Sequence, residues 1–275
     1  MIQAPPYLME NEAEIERLEM KTDVAVVQQQ AVWAGIAPGM RVADIGCGAG
    51  VTTRALFDLV QPGGTVVGLD VSAERIAHAQ NTYGAEGLTF ECCNVLEPLC
   101  HLAPFDFVWV RFFLEYHGRR AFDIVARLAE CLKPGGILCL IDLDHNCLNH
   151  YAMPDHLSAA LHGIMQKLAE EADFDPRIGI KLYSFLYDLG FEAIDVALAA
   201  HHLIHGPLNE VDRFNWTKKL EVAVGRSGYP FECYPGGYEG FVADFQNFFA
   251  QPRRFTYTPL IACRGRKPCG DLSAG

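Results

Sequence analysis

Val42-Ala43-Asp44-Ile45-Gly46-Cys47-Gly48-Ala49-Gly50 is the stretch that decides the fold. An apolar strand, Met40 to Ile45, carries an acidic residue; three alternating glycines follow, and a helix is expected from about Val51 to Val60. Glycine tolerates the tight bend at such a junction because it lacks the Cβ that keeps other residues out of left-handed conformations. The same bareness lets a ligand lie against the main chain, beside the free N–H groups of a helix start. The stretch reads as a nucleoside-binding turn.

Glycine spacing selects the kind of nucleoside. A dinucleotide turn runs G-x-G-x-x-G, with a pyrophosphate over the helix start. Here the run is D-x-G-x-G-x-G, and the third dinucleotide glycine is absent. A second apolar strand, Thr65 to Leu69, ends in Asp70, within the roughly 20-residue spacing at which a carboxylate meets ribose hydroxyls. Asp70 is therefore the expected ribose ligand. Asp44 has two open readings, a bond to N–H groups of the glycine loop or a contact with the ligand.

Three later stretches extend the pattern. Val66-Val67-Gly68-Leu69-Asp70-Val71-Ser72, Phe105-Asp106-Phe107-Val108-Trp109-Val110 and Leu132-Lys133-Pro134-Gly135-Gly136-Ile137-Leu138 stand, with the glycine turn, in the order of four family motifs. The chain thus resembles the class I S-adenosylmethionine-dependent methyltransferases, especially the small-molecule group that includes quinone-biosynthesis enzymes. The likeness covers residues 40 to 144, and beyond them only the general layout agrees. It implies S-adenosylmethionine as cofactor, held by Asp44, Gly46, Cys47, Gly48, Gly50, Asp70, Val71, Asn94, Val95 and Arg111. Asn94 departs from the acidic residue usual near the adenine amino group, although an amide oxygen can still accept that bond. N-P-P-Y is missing after the fourth strand, where Arg111-Phe112-Phe113-Leu114-Glu115-Tyr116 stands, which points away from methylation of bases or glutamine amides.

Helical and strand patterns alternate along the chain, so the expected fold is α/β, a Rossmann-like seven-stranded, mostly parallel sheet with helices on both faces and helical cap insertions. Residues 1–36, with Ile15, Leu18, Val26, Val27 and Ala31, read as an N-terminal helical cap. Residues 37–268 read as the methyltransferase domain with insertions at about 146–177 and 206–252, and 269–275 as a tail. Helices are expected over 73–83, 118–132, 154–173 and 180–189, the sixth strand over 191–204 and the last over 255–263. Tyr229, Phe231, Tyr234, Tyr238, Phe241, Phe245, Phe248 and Phe249 crowd the second insertion, enough to line an apolar pocket, although any one of them reads equally as core.

Composition fits an enzyme of small molecules. The chain has 275 residues, half of them apolar, and a net charge of −12 that would repel phosphate backbones. Nucleic acid is not expected as a partner. No basic-then-apolar leader or membrane-spanning run is visible, so a cytoplasmic setting is expected, with a homodimer left open. Ten cysteines are scattered without a C-x-x-C pair, and no metal site is expected. Most read as reduced core residues; a functional alternative would gather Cys92, Cys93, Cys147 or Cys233 around a soft substrate.

The expected chemistry is in-line displacement of a sulfonium methyl group, in which alignment supplies much of the acceleration. The acceptor is a small, partly apolar molecule, with oxygen favoured over nitrogen or carbon. His145, just past the fifth strand, is the first candidate base; Glu115 and Tyr116 follow the fourth strand beside Arg111 and His117. His201 and His202, as strand neighbours, should point to opposite faces and so not act together. Other chemistry on the same cofactor (cyclisation or transfer of another group) and a non-catalytic cofactor-binding module are the alternatives. An NAD-dependent dehydrogenase fails on glycine spacing.

Overall fold

The computed structural model describes residues 22–97, 99, 101–102 and 104–269. Ile15 and Leu18 of the expected N-terminal cap, and the tail from residue 270, lie outside them. Helix α1 (Val24–Ala34) starts at Asp23, whose carboxylate accepts from Ala25 N and Val26 N, and ends at Gly35 with φ 98°. Strand β1 (Arg41–Ile45), helix α2 (Val51–Val60), β2 (Thr65–Asp70), α3 (Ala73–Tyr83), β3 (Leu88–Cys92) and β4 (Phe105–Arg111) follow. After β4 comes a 3-10 turn, Leu114–His117, then α4 (Ala121–Glu130) and β5 (Leu132–Leu143). Lys133 to Gly136, part of the fourth family motif, lies within β5 as an irregularity: Phe105 pairs with Leu132 but Phe107 with Ile137.

The remaining elements are β6 (His150–Tyr151), α5 (Asp155–Glu171), a 3-10 turn at Gly179–Lys181, α6 (Leu182–Asp188), β7 (Glu192–His205), α7 (Glu210–Ser227), α8 (Gly237–Ala250) and β8 (Phe255–Arg266). The strand order is β3-β2-β1-β4-β5-β8, with β7 on the far side of β8. Strands β1 to β5 are parallel and β6, β7 and β8 pair antiparallel, so the expected sheet gains one two-residue strand, β6.

Strand alternation assigns the two faces. Val42, Phe107 and Trp109 face the cluster that holds Val27 and Ala31 of α1, Leu56 of α2 and Ile76 of α3. Ala43, Val108 and Val110 face Ile124 and Leu128 of α4 and Leu182 of α6. Burial on both faces explains why these strands read as unbroken apolar runs. Strand order reverses between β1 and β4, and a crevice outside the carboxyl ends at that point is where such sheets bind ligands. Helices α5, α7 and α8 form a third cluster of their own.

Candidate active site

A cavity of about 630 Å³ runs from the glycine turn, past the carboxyl ends of β2 and β4, to α5 and α7. Gly46, Cys47, Gly48, Asp70, Val71, Asn94, Val95 and Arg111 are in its walls; Asp44 and Gly50 are not. Gly46 has φ 70°, and a Cβ there would sit 2.5 Å from Phe113 Cδ2. Gly50 starts α2 at φ 93°, where a Cβ would lie 2.8 Å from Ala79 Cβ. Both positions exclude other residues on space as well as torsion.

The turn's own N–H groups are taken up by β2. Gly46 N and Cys47 N donate to Leu69 O at 2.8 and 3.0 Å, and Gly48 N donates to Asp70 Oδ2 at 3.0 Å, which fastens the turn to β2. Open donors are left at the start of α2, which no side chain caps. Asp70 Oδ1 accepts from Ser72 N and from Nε and Nη2 of Arg75, the last at 2.9 Å. A carboxylate offers about four acceptor positions, so Oδ2, with one partner, retains capacity on the cavity side.

Asp44 does not bond the N–H groups of the glycine loop. Its Oδ2 accepts from Thr53 Oγ1 at 2.7 Å, tying β1 to the first turn of α2. Burial lifts its pKa to about 7. Arg111 donates from Nε to Gln30 Oε1 at 3.3 Å, and its guanidinium lies 4.1 Å from the Phe112 ring. Burial lowers its pKa to about 10, so it stays a cation at neutral pH. Asn94 Oδ1 accepts from Leu96 N at 3.1 Å, and its amide N–H groups are the hydrogens it can offer to an adenine ring nitrogen. Small wall residues, a carboxylate at the end of β2, an amide after β3 and a cation at the end of β4 together fit S-adenosylmethionine.

The other half of the cavity holds Glu115, Tyr116, His117, Asn146 and Lys219. Asp142 sets the first of these in place: its Oδ2 accepts from Leu114 N at 2.8 Å and from Glu115 N at 3.2 Å, fixing the 3-10 turn against β5. Glu115 is buried, and Asn146 Nδ2 donates to its Oε2 at 2.9 Å. Burial raises the carboxyl pKa of both Glu115 and Asp142, and their proximity adds to the rise at Asp142. Burial also holds His117 near pKa 4, neutral at pH 7, and its Nδ1 has no hydrogen-bond partner among the described residues. Asp142, Asn146 and Lys219 carried no sequence expectation. A charge inside the apolar run Leu138 to Leu143 was the available signal for Asp142; Asn146 and Lys219 had none.

His145 lies apart from these walls. Its Nδ1 is 2.6 Å from Asp144 Oδ2, its φ is 47°, and its side chain is one-third exposed. His201 and His202 correct the opposite-face expectation: both line the cavity, with ring centroids 4.3 Å apart. The register of β7 slips between Ala200 and His202, and this irregularity breaks the alternation on which the expectation rested. The eight aromatic residues expected to line a pocket in the second insertion do not line this cavity. Phe241, Phe245, Phe248 and Phe249 are core, and the apolar cavity wall comes from Met165, Leu168, Ala172, Phe174, Val222 and Ala223.

Cys47, Cys93 and Cys147 reach the cavity, whereas Cys92 and Cys233 do not, so the four cysteines of the soft-substrate alternative are not gathered. No group of three metal-ligating side chains occurs among the described residues. No helix among them is long and apolar enough to cross a membrane.

Residues 43–138 match the family model described as a methyltransferase domain. Over 165 residues the chain is 30% identical to a trans-aconitate 2-methyltransferase of Methylobacterium nodulans, covering 60% of this chain and 58% of that protein. Over 112 residues it is 34% identical to a ubiquinone biosynthesis O-methyltransferase of a Bradyrhizobium species, covering 39% and 42%. The chain spans about half the length of the curated relatives it matches. The fold is shared with the phosphoethanolamine N-methyltransferase 2 of Haemonchus contortus, solved with S-adenosyl-L-methionine (TM-score 0.53, 17% identity, 89% of this chain and 52% of that one). It is also shared with the cyclopropane synthase MmaA2 of Mycobacterium tuberculosis (TM-score 0.55, 19% identity, 96% and 90%). The turn, the sheet order and these relatives agree: residues 43–138 form a methyltransferase domain, and the chain has the fold that S-adenosylmethionine-dependent methyltransferases share.

Proposed function

We propose that the protein methylates an oxygen of a small, partly apolar molecule. The observation that carries the reading is a single cavity reaching from the nucleoside turn to a buried carboxyl, Glu115, beside an apolar wall. When bound, the cofactor supplies a methyl group on positively charged sulfur, open to a nucleophile approaching in line.

The chain's own residues have three tasks. Asp70, Asn94 and Val71 hold the adenosine end, while Arg111 offers the cation for a carboxylate at the other end. Orientation between these anchors can supply up to about 7–11 kcal/mol of the barrier, so few further groups are needed. Glu115 takes the acceptor's proton: Asn146 and the Tyr116 hydroxyl hold its carboxyl in place, and its raised pKa suits a base working near neutrality. His145, bonded to Asp144 away from the walls, is not assigned that role. A cytoplasmic setting agrees with nine described cysteines that form no disulfide.

The test is incubation with methyl-labelled S-adenosylmethionine and a metabolite extract. Label is expected in an ether or ester product, with S-adenosylhomocysteine released in equal amount. A protein that binds the cofactor while label never leaves it would refute the reading.

A further inference from the structure

The part of the cavity wall supplied by α7 carries a cation, Lys219, that forms no ion pair among the described residues. Lys219 projects from α7 into the cavity, and its Nζ lies 5.3 Å from the Trp216 ring, with no carboxylate within 4 Å among the described residues. Trp216 stacks on Phe249, centroids 4.8 Å apart. On that ring in turn sits the Arg254 guanidinium, 5.6 Å from its centroid. Arg254 is 2% exposed, and none of its three side-chain nitrogens has a hydrogen-bond partner among the described residues. Trp216 Nε1 is buried and unpartnered as well. Asp212, the acidic neighbour acting on Arg254, is engaged in capping α7 with Asn209. Two positive charges therefore flank one aromatic pair, and the donors around it lack acceptors. A buried cation left unpaired is costly, so such a wall favours an anion from outside the chain.

Lys219 is not there simply to neutralise Glu115. The two act on each other electrostatically, but they form no ion pair: Asn146 holds the carboxyl, and the ammonium stands over Trp216. Between them the cavity is bounded by Tyr116, Met165, Leu168 and Phe174, which suit an apolar body. We propose that the methyl acceptor is a small amphipathic acid, its carboxylate or equivalent anion seated at Lys219 and its nucleophilic O–H at Glu115. Lys219 is then the specificity-determining residue, and Arg254 adds positive potential from behind the aromatic pair. This inference rests on the methyltransferase reading of the same cavity and adds the acceptor's charge.

Calorimetry on the protein saturated with S-adenosylhomocysteine tests it, with 4-hydroxybenzoate, 3,4-dihydroxybenzoate and 4-hydroxyphenylacetate as probes, each beside its neutral amide. The acids are expected to bind at least about tenfold more tightly than the amides, as a charge-assisted hydrogen bond implies. Lys219→Met should remove that preference, and Lys219→Arg should restore most of it. S-adenosylhomocysteine affinity of each variant, measured first, verifies that the fold is intact. Amides binding as tightly as acids, no uptake of any probe, or a preference that survives Lys219→Met would overturn the inference. Failure to bind S-adenosylhomocysteine at all would instead remove the reading beneath it.

Discussion

Replacing Asp44 by asparagine should remove one limb of the stability–pH curve. Asp44 is 2% exposed, and burial raises its pKa from 3.8 to about 7 against the opposing pull of the Thr53 bond and Arg111. A carboxyl whose folded pKa exceeds its unfolded value contributes stability that is complete below about pH 4 and lost as pH rises through about 7. A rise of about 3 units at roughly 1.36 kcal/mol each makes the loss about 4 kcal/mol. The Asp44→Asn side chain keeps an oxygen for the Thr53 hydroxyl, now 2.7 Å away, and bears no charge. It should therefore lose nothing over that window.

The wild-type curve alone does not isolate this effect. Burial lowers His117 and His150 from 6.5 to about 4, and the sign for a depressed histidine is opposite: stability is full above pH 6.5 and lost as pH falls toward 4. Each histidine carries about 3 kcal/mol by the same conversion, enough for the pair to outweigh Asp44 at the acid end. Subtracting wild type from Asp44→Asn cancels both. Urea unfolding of the two cofactor-free proteins at steps from pH 4.5 to 8.5 should give a difference that widens in the variant's favour by about 3 kcal/mol, or roughly 10 °C in Tm, the rest of the change lying below pH 4.5. Parallel curves would refute the assignment of a strained, buried carboxyl to Asp44.

Asp70→Ala should weaken S-adenosylmethionine about 10- to 100-fold by calorimetry. It should also destabilise the protein by about 3–5 kcal/mol in unfolding experiments, because Arg75, with its side chain only 8% exposed, loses its carboxylate. Gly46→Ala should abolish measurable cofactor binding, since the added Cβ meets Phe113 at 2.5 Å in a left-handed residue; unchanged affinity would show that the turn can move. Glu115→Gln should lower kcat by about 10²–10⁴ while leaving cofactor affinity within a few-fold. In the wild type, whose Glu115 pKa is raised by burial, kcat should climb with pH through the range where that carboxyl ionises, and the variant should lose the climb.

The half of the cavity proposed to hold the nucleoside was legible because backbone geometry dictates its residues. Gly46 and Gly50 answer to torsion and space, and Asp70 to its place at the end of β2; such constraints act within a few residues and leave marks in sequence. The acceptor half was not legible in the same way. Glu115 and Tyr116, singled out by their position after β4, do line the cavity, but Glu115's partners Asp142 and Asn146 are about 30 residues away and meet it only through the pairing of β4 with β5. Lys219 reads as one more charge on a solvated helix until α7 is laid over the crevice. His201 and His202 were misread because a register slip in β7 leaves no mark in composition. The cap aromatics misled in the other direction: a small helical layer needs its own core, and α8 fills it with phenylalanine.

Asp44, Glu115 and Asp142 are all held as carboxyls with raised pKa, and each would be easier to keep folded as an amide or an apolar residue. Stability does not account for three buried carboxyls of raised pKa, one of which, Glu115, lines the cavity. A cationic ligand would account for them: a sulfonium in the cavity would lower the cost of an ionised carboxyl near it, whereas its neutral thioether product would not. The same residues that destabilise the empty protein once ionised would then favour the charged cofactor over the spent one. Cofactor affinity should accordingly rise with pH through the range in which Asp44 ionises, more steeply for S-adenosylmethionine than for S-adenosylhomocysteine, and a pH series of titrations with both compounds would reveal an equal dependence if the carboxyls serve only the fold.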